Sequence, residues 1–244
     1  MNDQSYNYPT FSFALERGEY DLWKNSAPTL GAPAPDFELA DIEGRTLRLR
    51  DLRGLPVVLE FGSYTCPIFC GHNEAMDRLA KHYPEASFLV VYTREAHPGE
   101  RVGPHRDVDE KRNAVRNLLR NEPMTRAVLI DDVKGSVHRA YGGGWDTVFV
   151  ISPDGRIVLR RAWNDPAQVE ATLRTLREDG EVIPSESLDM APPTGRPFGQ
   201  GLLRGGERAL LDFYDSAPPP VRMRLENSES TEVRAVLAKA KTSA

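Results

Sequence analysis

Long hydrophobic runs are missing from this 244-residue sequence. No apolar stretch approaches the ~20 residues that a helix needs to cross a bilayer. The polar start Met1-Asn2-Asp3-Gln4-Ser5 also lacks the apolar region of a signal peptide. We therefore expect a cytoplasmic protein with no membrane partner.

An excess of positive charge is missing as well. The 31 Lys and Arg residues are outnumbered by 36 Asp and Glu residues, which gives a formal net charge of −5. Proteins that bind nucleic acids generally present a basic surface. We therefore expect no nucleic-acid partner. A small-molecule substrate is expected on different grounds, the cysteine chemistry described below.

Cysteine is scarce, because the chain holds only Cys66 and Cys70. Two residues cannot build a disulfide scaffold, and in a reducing compartment such a pair is more often catalytic or metal-binding. A free cysteine can also be a small buried apolar residue. The local pattern around this pair favours a redox role.

Both cysteines follow a predicted strand-to-helix turn. Residues 57–61 form an apolar, β-branched run, residues 73–82 have helical spacing, and Pro67 suits a first helical turn. A cysteine at such a turn faces unpaired backbone N–H groups and the positive end of the helix dipole, which lower a thiol pKa. Cys66 is therefore predicted to be a nucleophilic thiolate.

Cys70 lies one helical turn after Cys66. The Cβ atoms of residues four apart on a helix are about 5–6 Å apart, whereas a disulfide needs about 3.8 Å. Bridging therefore requires the first helical turn to loosen. In that event Cys70 resolves an oxidised Cys66, and an external thiol reduces the disulfide.

Strands and helices alternate through the middle of the chain. Strands are predicted at 36–39, 46–49, 57–61, 87–92, 127–130, 147–152 and 156–160, and helices at 14–23, 73–82, 108–119, 133–141 and 165–177. The order predicts an α/β fold, a thioredoxin-like mixed sheet flanked by helices with N- and C-terminal extensions. In such sheets the ligand site lies beyond the carboxyl ends of the strands.

Three units are expected. Residues 1–32 form an aromatic-rich arm, 33–177 the thioredoxin-like domain, and 178–244 an extension that docks on the domain or on a second subunit. The extension contains a Pro- and Gly-rich stretch at 184–201, helices at 202–214 and 231–241, and a breaker at 218–220. A homodimer follows if the arm and the extension exchange between subunits.

Several motifs carry a family resemblance across residues 33–177. The opening motifs, Pro33-Ala34-Pro35-Asp36-Phe37 and Asp51-Leu52-Arg53-Gly54, resemble those of redoxin domains. The stretch Phe61-Gly62-Ser63-Tyr64-Thr65-Cys66-Pro67-Ile68-Phe69 resembles the selenocysteine motif of iodothyronine deiodinases, with Cys66 in the place of selenocysteine. The likeness continues in the later motifs, Glu95-Ala96-His97, His105-Arg106, Tyr141-Gly142 and Trp163-Asn164-Asp165-Pro166.

The resemblance implies roles for particular residues. It makes Cys66 the nucleophile and makes Ser63 and Thr65 the neighbours that shape its turn. It also implies a proton-relaying network with these members: Glu95, His97 and His105. The near-neutral pKa of an ordinary histidine suits general acid work at His97. Four further residues are predicted to line the substrate pocket: Tyr64, Pro67, Trp145 and Asp146.

The expected function is a thiol-dependent oxidoreductase that resembles deiodinases or peroxiredoxins. The Cys66 thiolate would reduce a peroxide, a disulfide or a halogenated aromatic compound, with Cys70 as resolving cysteine. No cofactor is required, and a thiol donor such as thioredoxin or glutathione would supply electrons.

Two alternatives stay open. The Cys66-x-x-x-Cys70 pair also resembles the copper-delivering assembly factors of respiratory oxidases, and soft thiolates suit Cu(I). Those proteins add a distal histidine, which this chain lacks near Gly144. The second alternative is a non-enzymatic redoxin-like module that binds a partner through its extensions.

Overall fold

A computed structural model describes residues 6–122, 124–180, 182–187, 189–190 and 198–243. Two predicted segments extend beyond these residues: the arm at 1–5, and the Pro- and Gly-rich stretch at 191–197. Among the described residues, no helix combines the length and the apolar character that crossing a membrane requires.

One mixed sheet organises the molecule. Its strands in chain order are β1 (Glu38–Asp41), β2 (Thr46–Arg48), β3 (Val57–Gly62), β4 (Ser87–Tyr92), β5 (Ala127–Ile130), β6 (Val148–Ile151), β7 (Ile157–Arg161) and β8 (Ser185–Ser187). They lie in the order β2-β1-β5-β4-β3-β6-β7-β8. The sheet is thus built around β3, the strand that leads to the cysteines.

The pairing follows the predicted pattern. The strands β3, β4 and β5 are parallel, as their helical connections require. The hairpin β6–β7 adds antiparallel strands beside β3, and the hairpin β1–β2 joins β5 at the other side. The α/β thioredoxin-like prediction is confirmed. The edge strand β8 was not predicted, because it carries the polar sequence Ser-Glu-Ser.

The helices are α1 (Phe13–Ser26), α2 (Pro67–His82), α3 (Val108–Asn121), α4 (Ser136–Ala140), α5 (Pro166–Asp179), α6 (Phe198–Leu203), α7 (Glu207–Ser216), α8 (Pro219–Glu226) and α9 (Thr231–Ser243). Successive side chains of a strand point to opposite faces. Two hydrophobic cores result. Val58 packs in one of them with apolar residues of α2 and α5, and Leu59 packs in the other with apolar residues of α3. The sheet is therefore covered on both faces.

The C-terminal extension differs from its prediction in two places. The predicted helix at 202–214 is divided into α6 and α7, with Gly206 at φ 120°, a conformation that suits glycine. The predicted breaker at 218–220 instead contains the start of α8, with Pro219 as its first residue. Proline is accepted there because the first helical N–H has no partner within the helix.

The extension packs on the domain of its own chain. Leu202, Leu210 and Phe213 lie in the same hydrophobic core as Phe11 of the arm and Cys66. Helix α6 approaches α2 so closely that a Cβ on Gly201 would lie 2.6 Å from Cα of Pro67. Glycine therefore permits the contact between the extension and the start of α2.

A buried charged network lies under α2. Arg126, whose side chain is fully buried, donates to Glu60 of β3 and, at 2.9 Å, to Asp77 of α2. Its guanidinium also donates to Asn73 Oδ1 at 2.7 Å, and Asn164 donates to Glu60 at 2.9 Å. Both carboxylates are therefore paired inside the fold, as buried charges must be.

Candidate active site

The turn from residue 63 to 66 joins the carboxyl end of β3 to α2. Cys66 is the N-cap of α2, and its backbone N–H donates to the Ser63 carbonyl at 3.2 Å. Pro67 occupies the first helical turn, where its missing N–H leaves no hydrogen bond unmade. The cysteine thus stands where the strand-and-helix pattern places it.

Cys66 is nevertheless buried. Its side chain lies in the core at 1% exposure. Burial and the nearby Asp146 carboxylate raise the pKa of the Cys66 thiol well above its ordinary value, although the backbone N–H groups of Phe69 and Ile68 oppose the change. The sequence predicted a lowered pKa for Cys66, and this prediction is wrong. Burial destabilises the thiolate more than the N–H groups at the helix N-terminus stabilise it.

We expect alkylation of Cys66 to reveal this raised pKa. The thiolate is the reacting species, so the rate below the pKa should rise about tenfold for each pH unit. Iodoacetamide labelling of Cys66, followed by mass spectrometry of its peptide between pH 7 and pH 9, should show no plateau. A short unstructured cysteine peptide is the control, and it should react faster at pH 7. A plateau below pH 8 would contradict the burial argument.

Cys70 is also buried and points back toward the turn. Its thiol donates to the Tyr64 carbonyl at 3.4 Å, and the guanidinium of Arg204 donates to its sulfur. Burial raises the pKa of the Cys70 thiol to about 12, with Arg204 opposing the increase. Arg204 also pairs with Glu122. Both cysteines are free thiols in this structure.

Glu95 connects the turn to the loop after β4. Its carboxylate accepts hydrogen bonds from Thr65, at 3.0 Å from the backbone N and 2.7 Å from Oγ1, and from Tyr92. His105 Nε2 lies 3.1 Å from Glu95 Oε1. Burial raises the pKa of Glu95, but hydrogen bonds from His105, Tyr92 and Thr65 outweigh it, so this pKa is lowered. The structure therefore brings Thr65, Glu95 and His105 together.

Two further hydrogen bonds join the turn to the same loop. The backbone N–H of Ala96 donates to Ser63 Oγ at 3.0 Å, and that of His97 donates to Thr65 Oγ1 at 3.0 Å. Both hydroxyl groups are buried. Ser63 and Thr65 therefore hold the shape of the turn that carries Cys66.

The ring of His97 lies apart from this network, among aromatic side chains. Its centroid is 4.4 Å from that of Phe11, 5.4 Å from Phe213 and 5.7 Å from Trp145. Burial lowers the pKa of His97 to about 3, so the imidazole is neutral at pH 7. Its Nδ1 is buried without a hydrogen-bond partner. The expected near-neutral pKa is therefore not found.

A cavity of about 140 Å³ opens beside Cys66. Pro67, Trp145 and His97 line it from the domain, as do aromatic residues of the arm and the extension. Two of the predicted pocket residues, Pro67 and Trp145, therefore face the same space as the thiol.

The other two predicted pocket residues lie elsewhere. The Arg204 guanidinium lies over the ring of Tyr64, 4.9 Å from its centroid, and Tyr64 is outside the cavity lining. Asp146 is fully buried, with a carboxylate oxygen 3.6 Å from His72 Nδ1. Burial raises the pKa of Asp146 to about 6, with His72 opposing. Asp146 thus acts on Cys66 electrostatically from within the core, since it is not part of the cavity wall.

Sequence reasoning missed part of the site. Phe11, Phe13 and Phe213 line the cavity, and Arg204 contacts Cys70. The aromatic density of the arm and the apolar spacing at 202–214 indicated docking surfaces, but neither pattern showed that the two surfaces meet over Cys66. Nothing in the local sequence distinguishes Arg204 from a solvated arginine.

The described part of the chain contains no group of three or more His, Cys, Asp and Glu side chains arranged to hold a metal ion. The copper alternative therefore stays a prediction that depends on the two thiols.

Comparisons with known proteins agree on the family. A family model for iodothyronine deiodinase matches residues 4–175, so the match includes most of the arm. Thyroxine 5-deiodinase of Aquarana catesbeiana is 32% identical over 169 residues, which cover 59% of this chain and 62% of the relative. The Rattus norvegicus enzyme of the same name is 30% identical over 161 residues, which cover 61% of this chain and 52% of the relative. The chain thus matches between half and two thirds of their length.

Solved structures agree on the fold. An uncharacterized conserved protein from Geobacillus kaustophilus matches with a TM-score of 0.55 and 19% identity, over 68% of this chain and 94% of that chain. A protein from Chlorobium tepidum, named as a candidate thiol:disulfide interchange protein DsbE, matches with a TM-score of 0.50 and 24% identity, over 62% of this chain and 97% of that chain. These matches support the thioredoxin-like fold.

Proposed function

The chain belongs to the iodothyronine deiodinase family, and from this premise we propose that it removes halogen from an aromatic ring, with Cys66 as the nucleophile. One observation carries the proposal: the Cys66 thiol lies at an aromatic-walled cavity of about 140 Å³. Such walls favour an apolar ring over the small polar peroxide molecule.

In the first proposed step the Cys66 sulfur attacks the halogen. A sulfur–halogen bond forms, and the carbon–halogen bond breaks with its electron pair left on the ring carbon. That carbon takes up the proton which the thiol loses, so the step consumes no net proton. His97 lines the cavity and its Nδ1 has no hydrogen-bond partner, but its pKa of about 3 makes it a weak proton acceptor at neutral pH, so we assign it no proton transfer.

In the second step the first turn of α2 loosens, and the Cys70 sulfur attacks the sulfur of Cys66. A disulfide forms, the halide ion leaves, and Cys70 loses its proton. The Arg204 guanidinium donates to the Cys70 sulfur and stabilises its thiolate form. Two electrons from an external thiol, such as thioredoxin or glutathione, then restore both thiols. The cycle needs no bound cofactor.

Halide release with a dithiol donor tests the proposal. Wild-type protein should release iodide from an iodinated phenol, and Cys66→Ser should lower the rate at least about a hundredfold, because it removes the attacking sulfur. Cys70→Ser should keep the first turnover and slow those that follow. A burst of the deiodinated phenol equal to the enzyme concentration, measured by rapid quench, would show this, because the iodine stays on the Cys66 sulfur until a thiol attacks it.

Two results would contradict the proposal. Iodide release that persists in Cys66→Ser would exclude this nucleophile. Rapid consumption of hydrogen peroxide without any iodide release would indicate a peroxidase. The homodimer and the cytoplasmic location stay predictions.

A further inference from the structure

The cavity beside Cys66 has walls from three parts of the chain. Cys66 and Trp145 belong to the domain, Phe11 to the arm, and Phe198 and Phe213 to the extension. The ring of Phe213 lies 5.3 Å from that of Phe11 and 5.3 Å from that of Phe198. The arm and the extension are thus in contact, and they limit the space available beside the thiol.

The volume of this space restricts the substrate. An enclosed apolar cavity of about 150 Å³ holds one benzene molecule, and the cavity beside Cys66 has a similar volume, about 140 Å³, but is open at one side. It therefore has room for one ring against the thiol, and the second ring of an iodothyronine would have to lie outside, without the aromatic walls. Resting on the proposed function, we infer that the substrate held against Cys66 is a single-ring halogenated phenol.

Charged groups at the cavity suit the phenolic hydroxyl. Of the described residues that line it, Glu16 of α1 and Arg224 of α8 carry the charged side chains. Burial raises the pKa of Glu16 to about 7, so its carboxyl group is partly protonated at neutral pH and can donate a hydrogen bond to a phenolate. Arg224 is exposed and attracts the same negative charge.

Binding to the Cys66→Ser variant tests the inference without any chemistry. Trp145 and Trp163 line the cavity, so iodinated ligands bound there should quench tryptophan fluorescence. The probes are ortho,ortho-diiodophenol, thyroxine, and meta-diiodobenzene, which lacks the hydroxyl. We expect the phenol to bind at least about tenfold more tightly than either of the others, which corresponds to about 1.4 kcal/mol.

Wall variants in the same background provide the controls. Phe198→Ala enlarges the cavity and should improve thyroxine binding relative to the phenol. Met223→Ala, an exposed change on α8 outside the lining, should leave the order unchanged. Glu16→Ala should remove the preference for the phenol over the diiodobenzene, whereas Glu16→Gln, which still donates a hydrogen bond, should keep most of it.

Thyroxine binding as tight as that of the phenol, or no quenching by any probe, would overturn the inference. Tight phenol binding without iodide release by the wild-type protein would overturn the proposed dehalogenation and leave the inference on the ligand intact. Iodide release from thyroxine in preference to the phenol would overturn the inference on the ligand and leave the proposed dehalogenation intact.

Discussion

Phe213→Ala is expected to lower the free energy of unfolding by about 3–5 kcal/mol, the usual cost of deleting a buried phenylalanine ring. Phe213 is 4% exposed, and its ring contacts aromatic rings from three segments: Phe11, Phe13, His97 and Phe198. Removal leaves a void that these rings cannot fill without moving. Urea unfolding followed by circular dichroism measures the change.

Two variants control this experiment. Phe213→Leu keeps most of the apolar volume and should cost about 1–2 kcal/mol. Met223→Ala in the same extension alters a side chain that is 59% exposed, and should change stability by less than about 0.5 kcal/mol. A loss below about 1 kcal/mol in Phe213→Ala would show that the extension contributes little to the folded core.

Arg126→Met should destabilise the fold by about 3–5 kcal/mol, because it leaves buried carboxylates without their cation. Glu60 and Asp77 both accept hydrogen bonds from the guanidinium, and the Glu60 side chain is only 1% exposed. Urea unfolding at pH 7 gives the free energy. Because methionine retains most of the volume of the arginine side chain, the lost stability reports on the missing positive charge.

A second substitution separates charge from packing. Glu60→Gln in the Arg126→Met background removes one orphaned charge and should recover part of the lost stability. Arg78→Met breaks an exposed ion pair with Glu74 and should cost no more than about 1 kcal/mol. If the double variant is no more stable than Arg126→Met alone, the unpaired carboxylate is not the cause.

The strands and helices around the two cysteines could be predicted from the sequence, because local residue patterns determine them. The run at 57–61 is apolar except for Glu60, and it forms the central, fully buried strand. Asp165 and Pro166 give the start of α5 directly, since the aspartate side chain caps the helix and the proline occupies its first turn. The thioredoxin-like order followed from these elements.

The electrostatic state of the site could not be predicted in the same way. A helix N-terminus is visible in the sequence around Cys66, but the side chains that exclude water come from Phe11 and Phe213, more than 50 residues away in either direction. The same distant packing makes His97 neutral. Thiol and imidazole pKa values depend on that tertiary burial, which no local motif records.

The contact between Phe11 and Phe213 also means that the cavity beside Cys66 cannot form until the C-terminal extension has been synthesised. A ribosome releases the strand, the turn and both thiols long before residues 198–225 emerge. Until then Cys66 lacks one wall of its pocket and is open to water and oxidants. The cavity is therefore complete only after the extension has been made, and a chain stalled after α5 would leave Cys66 without the wall that Phe198 and Phe213 provide.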